Sequence, residues 1–184
     1  MDKNHSSGFT LIEVLMTLAI AVIVLTIGVP SFQASIDNNR KTTAISDMHT
    51  ALSLARSTAI TRRERVTVCK SSDIADCGDN DDATICTCAN DDGGSDWSQG
   101  WIVFVDPNNR EVVDAGEEIL RVYGPLPGSG TFTGNNFVQN QISFTPQGMF
   151  DRGDGGLGGT LTYTDGSHTG SLIISFGGNV RSGS

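Results

Sequence analysis

Cations are scarce beyond residue 70. From Ser71 to Ser184 the sequence has four Lys or Arg against sixteen Asp or Glu, a balance of −12, whereas residues 1–70 carry eight against five, or +3; the formal net charge is −9. A body this acidic repels phosphate backbones, so nucleic acid is not the expected partner. Aromatics are also few, at 7%, beside 22 glycines, a composition that points to many turns and a β-rich body. Catalytic patterns are missing. The three histidines (His5, His49, His168) are scattered, no Ser sits in a nucleophile elbow, and the Gly-rich stretches lack the GxxxxGK[ST] or strand-GxGxxG context that phosphate binding needs. The sequence therefore predicts no enzyme, no cofactor and no metal. Disorder is excluded too, since 38% of residues are hydrophobic and 18% charged, and 184 residues suffice for one domain with a core.

What the chain does have is one long apolar run. Phe9–Val29, FTLIEVLMTLAIAVIVLTIGV, contains a single charge, Glu13. As a helix rising about 1.5 Å per residue it spans roughly 31 Å, the thickness of a bilayer's hydrocarbon core. A secretory signal peptide has a shorter run followed by a small-residue cleavage site, and neither is present. The polar start, MDKNHSSG with Lys3, favours an N-terminus held in the cytoplasm and an exported body. Glu13 stands out, because an unpaired carboxylate within a bilayer costs at least about 2.5 kcal/mol. It either snorkels to the interface or meets a positive partner at its own depth. A free α-amino group on Phe9, made by cutting after Gly8, supplies such a partner.

The hexapeptide Gly8–Glu13, G-F-T-L-I-E, with an unbroken apolar run behind it, resembles the class III signal of type IV pilins and type II secretion pseudopilins. The resemblance implies that prepilin peptidase cuts between Gly8 and Phe9 and methylates Phe9, and that Glu13 meets the N-terminal amine of a neighbouring subunit. Pro30 falls where many pilins carry a helix-kinking proline, and with Gly28 it permits a bend.

After Pro30 the pattern turns amphipathic. Ala44/Ile45, Met48, Ala51/Leu52, Ala55 and Ala59/Ile60 recur at spacings of three and four, while Asp47, Ser53, Arg56 and Arg63 face elsewhere. The helix is expected to continue to about Thr61. Short strand-like runs follow at Arg65–Cys69, Gly100–Val105, Ile119–Tyr123, Gln141–Phe144, Thr160–Tyr163 and Ser171–Phe176, separated by Gly-rich links such as Pro125–Gly134 and Gly153–Gly159. The expectation is an α+β fold, a long N-terminal helix packed on an antiparallel sheet body. Its parts are a leader at 1–8, a transmembrane and assembly helix at 9–30, an amphipathic continuation at 31–62 and a periplasmic β-rich domain at 63–184.

Cys69, Cys77, Cys86 and Cys88 lie within twenty residues and read as disulfides in an exported body. Four cysteines allow three connectivities, which sequence does not separate. Cys86 and Cys88, two apart on a strand, point to opposite faces and are disfavoured as a pair, so a nested Cys69–Cys88 and Cys77–Cys86 is the expectation. Zinc is the rival, but paired C-x2–4-C knuckles are lacking. The stretch Asp106–Glu117, DPNNREVVDAGE, places Asp106, Asn108, Asp114 and Glu117 at calcium-loop positions 1, 3, 9 and 12. It has Arg110 at position 5 and Glu111 at the turn-glycine position, so a polar β-turn is favoured over calcium. The acidic cluster Asp79, Asp81 and Asp82 reads as a solvated loop.

Three stretches of the body, Ala51–Cys69, Trp97–Val122 and Ile142–Phe150 with Leu172–Ser182, resemble the GspH/FimT family of minor pilins and pseudopilins. The resemblance implies a low-abundance subunit, free of cofactors, that primes or caps a type IV pilus or a type II secretion pseudopilus. Its partners are then prepilin peptidase, other major and minor subunits, the inner-membrane assembly platform and inner-membrane lipid. Some members bind DNA during natural transformation through a basic C-terminal GRxR-type motif. Here that end reads Gly178-Asn179-Val180-Arg181-Ser182, with one Arg where the motif has two, so a tip-located DNA-binding or adhesive subunit is the alternative.

Overall fold

In the computed structural model the described residues are 9–71, 86–89, 95–151, 158–166 and 168–183, with the side chains of 29–31 excepted. They form two units, Met1–Asn38 and Asn39–Ser184. One helix, α1 (Leu11–Arg62, 52 residues), contributes its first part to the first unit and the remainder to the second.

In the first unit the apolar run is helical, and its large side chains, from Phe9 and Leu11 to Leu25 and Ile27, are exposed. The helix is long and apolar enough to cross a membrane. An exposed stripe this apolar has no stable place in water, since each large aliphatic side chain left unburied forgoes about 1.5–3 kcal/mol. Pro30 lies within the helical span, but its side chain is outside the described residues.

In the second unit the remainder of α1 packs through Ala44, Met48, Ala51, Leu52, Ala55 and Ala59, all buried. This is the three-and-four spacing expected of a helix with one apolar stripe. Ile60 departs from it and is half exposed, because it reaches sideways over the turn at Gly148 instead of down into the core. The helix stops where Arg63 takes a left-handed conformation at φ 58°, a usual ending for a helix C-terminus.

Among its described residues the body holds two antiparallel sheets. The first has the order β3-β2-β1-β5-β6, from β1 (Val66–Lys70), β2 (Trp101–Val105), β3 (Ile119–Tyr123), β5 (Gln141–Phe144) and β6 (Phe150–Asp151). The second has the order β4-β7-β8-β9, from β4 (Thr131–Gly134), β7 (Gly158–Asp165), β8 (His168–Ser175) and β9 (Val180–Gly183). A hydrogen bond from the Phe150 N–H to the Phe176 carbonyl, 3.0 Å, links the end of the first sheet to the turn that follows β8.

Strands β1 and β2 are buried at every residue. Their alternate side chains serve two cores. Val66, Val68, Trp101 and Val103 join the helix and the inner residues of the second sheet (Phe132, Leu161, Tyr163, Leu172, Ile174) in the main core. Cys69, Ile102 and Phe104 form a smaller cluster with Cys86 on the opposite face. The expected strands are present, two of them, β3 and β5, with the predicted bounds. Three more were not foreseen: β4, inside the supposed Gly-rich link Pro125–Gly134, the two-residue β6, and β9.

Candidate functional site

The N-terminal segment is built around its helix start. Thr10 caps α1: its Oγ1 accepts the Glu13 N–H at 3.3 Å, and its carbonyl accepts the N–H groups of Glu13 (3.1 Å) and Val14 (3.2 Å). Thr10-Leu11-Ile12-Glu13 has the S/T-x-x-E pattern of a capping box, of which the Thr10 half is made and the Glu13 half is not. A carboxylate at the third helical position also faces the positive end of the helix dipole. The other hydroxyls of the run are absorbed by the helix itself, Thr17 donating to the Val14 carbonyl at 2.9 Å and Thr26 to that of Val22. Glu13 is then the one polar side chain of the run whose functional group has no partner among the described residues. Gly8 lies outside the described residues, and Phe9 is exposed.

In the body, Cys69 and Cys88 are joined by a disulfide. Cys86 is also disulfide-bonded, and Cys77, its partner in the nested scheme, lies outside the described residues, as does the Asp79–Asp82 cluster. The bond ties β1 to the segment covering Ile102 and Phe104, closing the smaller cluster.

The Asp106–Glu117 turn spends its acids on its own chain. Asp106 is fully buried. Its Oδ1 accepts the Arg110 N–H at 3.1 Å; its Oδ2 accepts the Glu111 N–H at 3.2 Å and the Thr67 hydroxyl at 2.9 Å. Asp114 takes the Arg110 guanidinium at 3.0 Å and the Asn108 amide at 2.8 Å. Asn109 and Glu111 adopt left-handed φ of 58° and 61° to make the turn. Glu117 accepts the Asp114 N–H through Oε2 at 2.9 Å, while its Oε1 is buried with no hydrogen-bond partner among the described residues. Burial raises the Glu117 pKa above the usual carboxylate range. Among the described residues no group of three or more His, Cys, Asp or Glu is placed to hold a metal.

The basic helix end is engaged within the body. Arg56 donates from Nε to the Gly148 carbonyl, from one terminal nitrogen to Asn179 Oδ1 and from the other to the Gly177 carbonyl, each at 3.0 Å. This clasp fastens the helix to both C-terminal stretches singled out in the sequence, Ile142–Phe150 and Leu172–Ser182. Arg62 forms a two-point ion pair with Glu118, whose pKa is lowered by the guanidinium hydrogen bond, and Arg65 pairs with Asp151. Arg181 is exposed on β9 opposite Ile173 of β8. Arg56, Arg62, Arg63 and Arg65, at the helix end, thus do not form a free cationic patch with Arg181, because Arg56, Arg62 and Arg65 are drawn to acceptors of their own chain.

A long apolar N-terminal helix whose remainder packs on antiparallel sheets is the architecture of a pilin. The family described as "Type II transport protein GspH" matches residues 44–178, and the prokaryotic N-terminal methylation motif matches residues 3–29. The chain belongs to the GspH family, among the type IV minor pilins and pseudopilins. Two crystal forms of the type IV minor pilin FimU of Pseudomonas aeruginosa PAO1 share the fold at 16% identity. One, with a TM-score of 0.55, covers 79% of this chain and 89% of FimU; the other, with 0.53, covers 78% and 92%. No curated protein matches in sequence.

Proposed function

We propose that this chain is a minor pilin or pseudopilin subunit that is cut between Gly8 and Phe9, methylated on Phe9, and assembled to prime or cap a type IV pilus or a type II secretion pseudopilus. In the inner membrane it is a single-pass protein with its N-terminus cytoplasmic and its body periplasmic. Prepilin peptidase, the assembly platform, membrane lipid and other pilin subunits are its partners. The observation that carries this reading is the isolation of Glu13 among the described residues: Thr10, Thr17 and Thr26 spend their hydroxyls on the helix backbone, and the carboxylate alone awaits a positive charge. The α-ammonium of Phe9 on a neighbouring subunit, at the same depth, removes the cost of leaving that carboxylate alone in hydrocarbon. The helix thus works twice, first as bilayer anchor and then as the packed core of a filament.

The direct test is mass mapping of the chain recovered from its native host. A mature N-terminus at N-methylated Phe9 is expected; a chain still beginning at Met1, or cut after the apolar run, contradicts the proposal. The DNA-binding or adhesive alternative rests on Arg181, the one exposed cation of the C-terminal strand. It is tested by a duplex-DNA shift at physiological salt that Arg181→Ala abolishes, and no shift is expected.

A further inference from the structure

Strand β9 ends the second sheet, and along it, facing α1, run two hollows that meet at His49. On the helix side they are lined by a stripe at spacings of three and four that includes Lys41, Ile45, His49, Arg56 and Ile60; on the other side stand Val180 and Ser182 of β9. Among the described residues no Asp or Glu lines either hollow, in a chain whose net charge is −9.

The ladder shows which backbone groups of β9 face away from β8. The Ser175 N–H donates to the Asn179 carbonyl at 2.9 Å, and hydrogen-bonded pairs alternate along an antiparallel ladder. Ile173–Arg181 and Ser171–Gly183 fall in step with that pair. The N–H and C=O of Val180 and Ser182 therefore point to the sheet's open edge, while their side chains face the helix. An open edge with free backbone donors and acceptors is a template for a further strand.

We propose that this groove takes an extended, acidic segment of a partner protein, added as a strand along β9. Backbone bonds to Val180 and Ser182 set its register, its apolar side chains enter the hollows beside Ile45 and Ile60, and its carboxylates meet Lys41 and His49. A peptide fits better than a nucleic acid: among the described residues the lining has no Phe, Tyr or Trp on which a base could stack, and the edge of β9 offers backbone donors and acceptors that an extended peptide matches in register. The proposal does not depend on the filament reading, since a strand can add to the monomer.

The test uses the full chain in detergent micelles and fluorescence anisotropy with labelled hexapeptides, one alternating Glu and Val, the other Lys and Val, together with a short oligo-dT. The Glu/Val peptide is expected to bind at least tenfold more tightly than the Lys/Val peptide or the oligonucleotide. Ser182→Pro, which removes an edge N–H without touching the β8 ladder, and Lys41→Glu are each expected to weaken it at least tenfold, with the melting temperature of Lys41→Glu unchanged. Should Ser182→Pro unfold the body, Lys41→Glu decides. Equal binding of the two peptides, no binding of the Glu/Val peptide, preference for oligo-dT, or full binding by Lys41→Glu overturns the proposal. None of these readouts involves leader cleavage or filament entry, so failure here is distinct from failure of the assembly reading.

Discussion

Gly178 meets Gly148 backbone to backbone: a Cβ placed on residue 178 would stand 1.9 Å from the Gly148 carbonyl oxygen. Both residues have φ of 75°, in the left-handed region that favours glycine. The Gly148 carbonyl is also an acceptor for Arg56. Gly178→Ala therefore strains the backbone and pushes away the carbonyl that the guanidinium holds. A loss of at least about 3 kcal/mol is expected, read as the shift in a chemical denaturation midpoint.

Arg56 links the helix to two turns by three hydrogen bonds, two of them to main-chain carbonyls. Arg56→Ala should cost about 2–3 kcal/mol, which at this chain length lowers the melting temperature by roughly 4–12 °C. Arg56→Lys should recover less than half of that loss, because one ammonium cannot serve three acceptors arranged around a planar fork.

Asp106 is the buried hub of its turn, and Asp106→Ala strands the Glu111 N–H and leaves the Arg110 N–H and the Thr67 hydroxyl with one partner each, Asn108 Oδ1 and Ser143 Oγ. A loss of about 3 kcal/mol is expected by denaturant titration. Because the acids of the turn are met by the chain's own donors, adding calcium or a chelator should leave the melting temperature unmoved. A calcium-dependent rise would reverse that assignment.

Glu117 gives the body a pH dependence of known sign. Its folded-state pKa is raised, chiefly by burial, so the folded chain holds this proton more tightly than the unfolded one. Its contribution is then full below the ordinary Glu pKa and is lost as pH rises through the folded value. Glu117→Gln, neutral throughout, should melt higher than the parent at pH 7 and converge with it near pH 4. A variant that melts lower at pH 7 by more than at pH 4 contradicts this.

The helix and the apolar strands were legible because their periodicity is carried by side chains that bury themselves: the stripe from Ala44 to Ala59, and β3 and β5 within their predicted bounds. Strand β4 was not, since Phe132 is its one large apolar residue in a Gly-rich stretch, and β9 offers only Val180. Both are strands because a neighbouring strand pairs with them, which composition does not record. Arg56 reads from spacing as a solvent-facing residue, yet its acceptors lie 92 and 123 residues away along the chain. The Thr10 cap is written locally, in the four consecutive residues Thr10–Glu13.

The central claim is that Glu13 is kept for another subunit, and filament entry in the native host tests it most directly. Glu13→Ala removes the carboxylate, and Glu13→Gln keeps the shape of the helix cap while removing the charge. Both variants are expected to be cleaved after Gly8 and then to be absent from sheared filaments. Incorporation of either at the parent level would contradict the account.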